Sequence, residues 1–431
     1  MREIQYPPHY RRNFLCLATD FCFFGVAMAF IGSTTVIPSF LNTLGASPAL
    51  IGLATTLQRA GWFLPQLFAA RYLANKRYKK PYVVVPGMIS RSLMLVLAIL
   101  VWAFGARSPS VLAPLVIVIL TVFWLGDGTC SVSWFDLMSK VIPPRRRGRL
   151  TGVGQMASGV LGFLAGFVVE WMLSDRGFAF PNNYAALFLI GFLMLMVSLT
   201  AISLIVEPPG VVARDVPTWR DYFPQLGRVL REDAGYRRYI IARQLFNFSM
   251  LAEPFYMTYA LTRLDLPAQV AGRYTSIGVV GTILAALFFS WVNERWGTRR
   301  AIYFSIALMM LTPVAAMAIP ALITDADRLA WGYGLVFLVL NLALNGLMPS
   351  WMAFVLELAP EAERPAYVGL TNTVNGVTML FSALGGLILA WTNENYIVLF
   401  GITLVGTALA WPLALTLPEP RDFEGQQQGE G

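Results

Sequence analysis

"WFDLMSKVIPPRRRGRLTGVGQMASGV", residues Trp134–Val160, sets four arginines within five residues between two stretches almost free of charge. Taken alone, "PPRRRGR" has the look of a nucleic-acid patch. The reading changes when "WMAFVLELAPEAERPAYVGLTNTVNGV", Trp351–Val377, is laid beneath it without gaps. Trp134 then meets Trp351, Pro143 meets Pro360, Arg147 meets Arg364, Gly152 meets Gly369 and Gly159 meets Gly376, all at one offset of 217 residues. Five sparse residue types in register mark an internal repeat, and a repeat constrains the fold before anything else does.

Composition says what repeats. The 431 residues are 57% hydrophobic and 13% charged, against about 45–50% and about 25% in soluble domains. So little charge cannot coat a water-soluble particle of this length, but it suits a surface that faces lipid. Twelve apolar runs follow, near 13–41, 48–71, 82–104, 112–138, 150–173, 184–206, 238–261, 271–293, 301–322, 331–356, 366–391 and 396–416. Most reach the ~20 residues that a helix needs to cross a bilayer. None alternates with period two, which excludes outer-membrane strands. A soluble or nucleic-acid-binding enzyme is excluded with them.

The basic residues sort by side. Lys76, Arg77, Lys79 and Lys80 follow the second run; Arg145, Arg146, Arg147 and Arg149 follow the fourth; Arg295, Arg299 and Arg300 follow the eighth. The other side has only Arg107, Arg176, Arg263, Arg273 and Arg328 in or beside short loops. This bias predicts both termini in the cytoplasm, in a bacterial plasma (inner) membrane, and accounts for the net charge of +8 without nucleic acid. "MREIQYPPHYRRNF" lacks a cleavage-site pattern, so the first run is expected to remain as a helix. Cys16, Cys22 and Cys130 fall inside apolar runs with no CxxC pair, which predicts neither a disulfide framework nor a metal site. No cofactor is expected, and a monomer is. The expected organisation is an N-terminal six-helix bundle (1–206), a cytoplasmic linker (207–237) with a short amphipathic helix in its second half, a C-terminal six-helix bundle (238–417) and a disordered tail (418–431).

The loops carry a more specific likeness. "RYLANKRYKK" (Arg71–Lys80) corresponds to "SWVNERWGTRR" (Ser290–Arg300). The second copy has Glu294, Arg295, Gly297 and Arg299 in the pattern G-x-x-x-D-R-x-G-R-[RK]. In the first copy Asn75 replaces the acid and Tyr78 the turn glycine, while Lys76, Lys79 and Lys80 keep the basic character. Together with the six-plus-six plan, these loops resemble the major facilitator superfamily over nearly the whole chain. The resemblance implies an all-α membrane protein of twelve transmembrane helices in two pseudo-symmetric six-helix bundles, with spans 1, 4, 7 and 10 around a central cavity. It also assigns gating to Asn75, Lys76, Lys80, Glu294, Arg295, Gly297 and Arg299, to which the repeat adds Arg147 and its partner Arg364. The fourth span departs from the family in lacking an arginine-glutamine-glycine signature. The fifth, "GQMASGVLGFLAG", lacks the glycine-proline element of many drug antiporters.

Charges at membrane depth are costly and mark functional candidates. At 1.5 Å per residue, Arg59 lies about 16 Å into span 2, Arg91 about 14 Å into span 3, Asp127 about 20 Å from the outer end of span 4 and Asp20 about 10 Å inside span 1. Glu253 precedes Pro254 deep in span 7. His9 is the only histidine, so a proton relay has to use carboxylates. Asp127 with Arg59 or Arg91 is the preferred proton pair, followed by Asp20; Glu253 serves proton or substrate. Static ion pairs that merely fix helix register are the competing reading. Trp124, Asp127, Ser131 and Trp134 share a helical stripe, as do Asn341, Asn345 and Met348; with Gln244 and Asn247 they are candidate cavity residues, or else packing. No nucleotide-binding loop is present. The function expected is secondary active transport of a small organic solute by alternating access, coupled to protons. Amphiphile efflux and sugar-like uptake both fit, and a non-transporting assembly factor or sensor on the same fold is the rival.

Overall fold

The computed structural model describes residues 7–73, 76–209, 227–359, 367, 370–371, 374–376 and 381–418. Among them are only helices and turns, and ten helices are long and apolar enough to cross a membrane. Two of the twelve expected spans are not among the ten. Span 2, Pro48–Leu73, is a helix of 26 residues that carries Gln58, Arg59, Gln66 and Arg71. Span 7 is broken into Ala234–Phe246, a 3-10 turn at Asn247–Leu251, and Phe255–Thr262.

Sequence punctuation explains most boundaries. Proline opens spans 3 (Pro81–Phe104), 4 (Pro109–Val141) and 5 (Pro144–Leu173); its missing N–H is one that a helix start leaves unbonded anyway. Span 1 runs Tyr10–Ile31 and continues as Val36–Thr43 after a left-handed Gly32. Span 6 is Asn182–Ser203. Span 8 (Val270–Trp296) turns into span 9 (Thr298–Leu322) at Gly297, whose φ of 85° excludes most side chains. Span 10 covers Ala326–Leu358 with a π-helical turn at Met348–Met352. The described part of span 11 ends at Trp391, and span 12 is Tyr396–Leu415.

Two compact units result: Met1–Leu50, Ala54–Val216 and Pro267–Ser276 in the first, Ile51–Leu53, Pro217–Leu266 and Ile277–Gly431 in the second. The same pairings recur in each. In the first, span 1 packs on spans 5 and 6, and span 3 on spans 4 and 6; in the second, span 7 packs on spans 11 and 12, and span 9 on spans 10 and 12. Leu64, Phe68, Trp102, Leu287 and Trp391 point outward, as a lipid-facing surface requires. Residues 227–232 of the linker are helical; residues 210–226 and the tail from 419 lie outside the described residues. The three cysteines are free, with Cys22 and Cys130 buried in packing roles.

Candidate functional site

In the first unit four spans bring their few polar side chains together. Asp20 on span 1 accepts two hydrogen bonds, from the Trp134 indole of span 4 at 2.6 Å and from Ser198 Oγ of span 6 at 2.5 Å. Arg91 on span 3 donates from one terminal nitrogen to Ser198 Oγ at 2.9 Å and to the Leu195 carbonyl at 3.1 Å. Arg91 and Asp20 are therefore joined through a serine rather than directly. Asp127 of span 4 is buried next to Gly128, where span 4 meets Trp62 of span 2, and lies within electrostatic reach of Arg91. All but the tryptophans are more than nine-tenths buried. Gly128 makes this possible. A Cβ there would stand 2.3 Å from the Trp62 carbonyl oxygen, so only glycine lets span 4 lie against span 2 beside Asp127.

The equivalent level of the second unit is built differently. Trp351, the repeat partner of Trp134, donates its indole to Ser305 Oγ at 2.8 Å, and its ring packs on Tyr239 and Phe246 of span 7. Arg243 is buried and lies over the Phe246 and Trp351 rings, each at 5.2 Å. Where the 3-10 turn begins, Gln244 and Asn247 both donate to Asn375 Oδ1 at 3.3 Å. Glu253 is buried at the far side of this break, near Tyr256. On span 10, Asn341 donates to the Phe337 carbonyl and Asn345 to Thr282 Oγ1 of span 8. The Met348 side chain lies outside the described residues.

At the end that carries the basic loops, Glu207 accepts from the Lys79 and Lys80 amides at 2.7 and 2.8 Å, capping the start of span 3, and pairs with Lys140 at 2.9 Å. Lys79 pairs with Asp136 at 3.2 Å. Lys80 donates to the Ser203 and Ile205 carbonyls, and Arg147 to those of Ser139 and Ile142. In the second unit, Thr298 donates to Glu357 and Arg299 to Tyr303 and the Leu417 carbonyl. Lys76 lies over the Tyr72 ring. Glu294 and Arg295 stand in the last turn of span 8, before Gly297. Asn75 and Arg364 lie outside the described residues. Towards the opposite end, Glu170 pairs with Arg273 at 2.5 Å inside the first unit.

The sequence profile of the Major Facilitator Superfamily matches residues 19–383 and 275–430. The chain belongs to that superfamily. It superposes on the nucleoside transporter NupG with a TM-score of 0.64 at 15% identity, over 95% of this chain and 98% of that one. A D-xylose-proton symporter gives 0.67 at 13% over 95% and 98%, and a bacterial homologue of the iron transporter ferroportin gives 0.67 at 15% over 94% and 98%. At such identities these structures share the fold alone. Uncharacterized proteins of Mycobacterium tuberculosis and Mycobacterium bovis are 26% identical over 271 residues, 60% of this chain and 50% of theirs. The chain thus spans about half the length of the curated relatives it matches. As a member of this superfamily it is a multi-pass membrane protein with a transporter fold, not an enzyme.

The superfamily fold brings Asp20, Arg91, Asp127 and Trp134 into one cluster, and Gln244 with Asn247 into another. Trp124 sits instead over Gly61, and Ser131 bonds to the Gly128 carbonyl of its own helix. Arg59 stands one turn before Trp62 on span 2. Sequence reasoning missed Ser198, Trp62, Glu207 and Asn375. A serine in an apolar span gives no signal of its own. Glu207 did give one, since an acid directly before "PPG" at a helix end is a ready partner for the lysines of the neighbouring loop.

Proposed function

We propose that this chain is a proton-coupled secondary transporter of a small polar organic solute, working by alternating access with both termini in the cytoplasm of a bacterial cell. The observation that carries the reading is the buried group of Asp20, Ser198, Arg91 and Asp127 in the first unit. It holds two acids and one base at membrane depth, where each ion costs at least a few kcal/mol. Moving one proton changes its net charge between neutral and negative, which is a means of coupling solute movement to a proton gradient. A register-fixing pair needs one acid per base, and this group has an acid to spare.

Solute recognition belongs in this reading to the second unit. Span 7 is interrupted near its middle and span 10 about two-thirds along, and broken helices mark substrate sites in transporters built from repeats. The amides of Gln244, Asn247 and Asn375 meet at the break in span 7 and offer donors and acceptors there. Such a lining suits a neutral hydroxylated or heterocyclic solute. Sugars and nucleosides are the first classes to try, because two structural neighbours are a nucleoside transporter and a D-xylose-proton symporter. The test is uptake of labelled pentoses, hexoses and nucleosides into proteoliposomes under an imposed pH gradient. Accumulation of one class that a protonophore collapses supports the reading; accumulation unaffected by the protonophore contradicts it.

A further inference from the structure

We infer that Asp233 and Tyr367 are positioning residues for the recognition site, and that they act on the side-chain amides of Gln244, Asn247 and Asn375 through facing stripes of spans 7 and 11. This deepens the recognition reading above and rests on it. Every residue in the argument lies in the second unit. Tyr367, Thr371 and Asn375 are helical and four residues apart, so they share one stripe of span 11, about 12 Å long at 1.5 Å per residue. Span 7 faces it with Tyr236, Gln244 and Asn247, and Ile240 is buried between the first two.

The stripes are bonded at three levels. Where the linker ends, Asp233 Oδ1 accepts the Tyr236 N–H at 2.8 Å and caps span 7, while Oδ2 accepts the Tyr367 hydroxyl at 2.8 Å. Next, the single hydroxyl proton of Tyr236 goes to the Tyr367 carbonyl at 2.8 Å, so in its 2.8 Å contact with Thr371 the tyrosine oxygen accepts. One turn further along span 11, Asn375 Oδ1 accepts from Gln244 and Asn247 at the break. Tyr236, Tyr367 and Thr371 are buried, so water does not replace a lost partner cheaply. The linker end is itself fixed: Arg237 donates to the Leu230 and Arg231 carbonyls at 3.2 and 3.3 Å, and Val229 is buried. Tyr239 donates at 3.0 Å to the Trp351 carbonyl, in the π-helical turn of span 10, and pins the first half of span 7. With span 7 held there, a change in the Asp233–Tyr367 contact is taken up by span 11, and Asn375 shifts against Gln244 and Asn247.

Hydrogen exchange of the full-length protein in lipid nanodiscs, read by mass spectrometry, tests this without a known solute. Tyr367→Phe deletes only the hydroxyl that Asp233 accepts. The expected result is exchange at Asn247–Leu251 faster by about threefold or more, the weight of one hydrogen bond, with span 9 (Thr298–Leu322) unchanged. Asn375→Ala should speed the same segment, and the Tyr367→Phe/Asn375→Ala double variant should exchange no faster than Asn375→Ala alone, because both act on one path. Thr371→Val should repeat the effect, and Thr371→Ser, which keeps the hydroxyl, should match the wild type; this pair decides the matter if Tyr367→Phe fails to fold. Acceleration confined to residues 233–239, equal acceleration in span 9, or strictly additive effects in the double variant would overturn the assignment. Solute uptake untouched by Asn247→Ala would instead defeat the recognition reading and leave the exchange result standing.

Discussion

Gly128 lets span 4 rest on the backbone of span 2, and with it sets where Asp127 stands. A methyl group at this position would meet the Trp62 carbonyl oxygen at 2.3 Å. Gly128→Ala is expected to destabilise the protein by about 1–3 kcal/mol, the usual cost of forced overpacking. Gly152→Ala, where a Cβ would meet nothing within 4 Å, is the control and should leave the protein as stable or slightly more so. Thermal unfolding in detergent compares the two. Ser198→Ala removes one hydrogen-bond partner each from Arg91 and Asp20, leaving the Leu195 carbonyl to the first and the Trp134 indole to the second. A loss of about 1–3 kcal/mol is expected, because a buried polar group deprived of its partner forfeits its solvation. Asp20, Arg91 and Asp127 were readable from the sequence, since charge is conspicuous in an apolar run. Their pairing was not. The link runs through Ser198, 178 residues from Asp20, and a serine within "LMLMVSLTAIS" looks like any other small span residue. Asp127 was expected to pair with Arg59 or Arg91; the hydrogen bonds of Arg91 run instead through Ser198 to Asp20.

Span 7 is the element whose form departs most from a simple helix. Pro254 announced a disturbance, but the helix already gives way at Asn247, seven residues earlier, where no proline stands. There the amides of Gln244 and Asn247 turn to Asn375 of span 11, a long-range contact invisible to periodicity. Pro254→Ala restores a backbone donor and favours a continuous helix. The expected outcome is unchanged or raised thermal stability together with at least a tenfold loss of solute uptake; equal uptake would show that the break is not part of the site. The start of span 3 depends on Glu207, whose carboxylate serves two backbone amides and the Lys140 ammonium. Glu207→Gln keeps the size but removes the charge, and about 1–3 kcal/mol of stability should go with it. Lys140→Met should cost less, since the two amide bonds survive. Chemical unfolding of both variants orders them.

For the molecule as a whole, the repeat announced by Trp134–Val160 and Trp351–Val377 was the strongest signal in the chain. It returns as the same helix pairings in each unit. What the repeat did not convey is how the units differ. Tryptophans at matched positions have unlike partners: Trp134 bonds an aspartate and Trp351 a serine. The first unit gathers Asp20, Arg91 and Asp127 in its interior, and the second has a broken span 7 whose amides meet Asn375. The proposed function assigns coupling to the first unit and recognition to the second, and this assignment leads to a direct measurement. Once a transported sugar or nucleoside is in hand, it is added to weakly buffered proteoliposomes while external pH is recorded. The account predicts a prompt, solute-dependent pH change in the wild type. The Asp20→Asn/Asp127→Asn double variant should lose it while still exchanging labelled solute across the membrane. A pH change of undiminished size in the double variant would contradict the account.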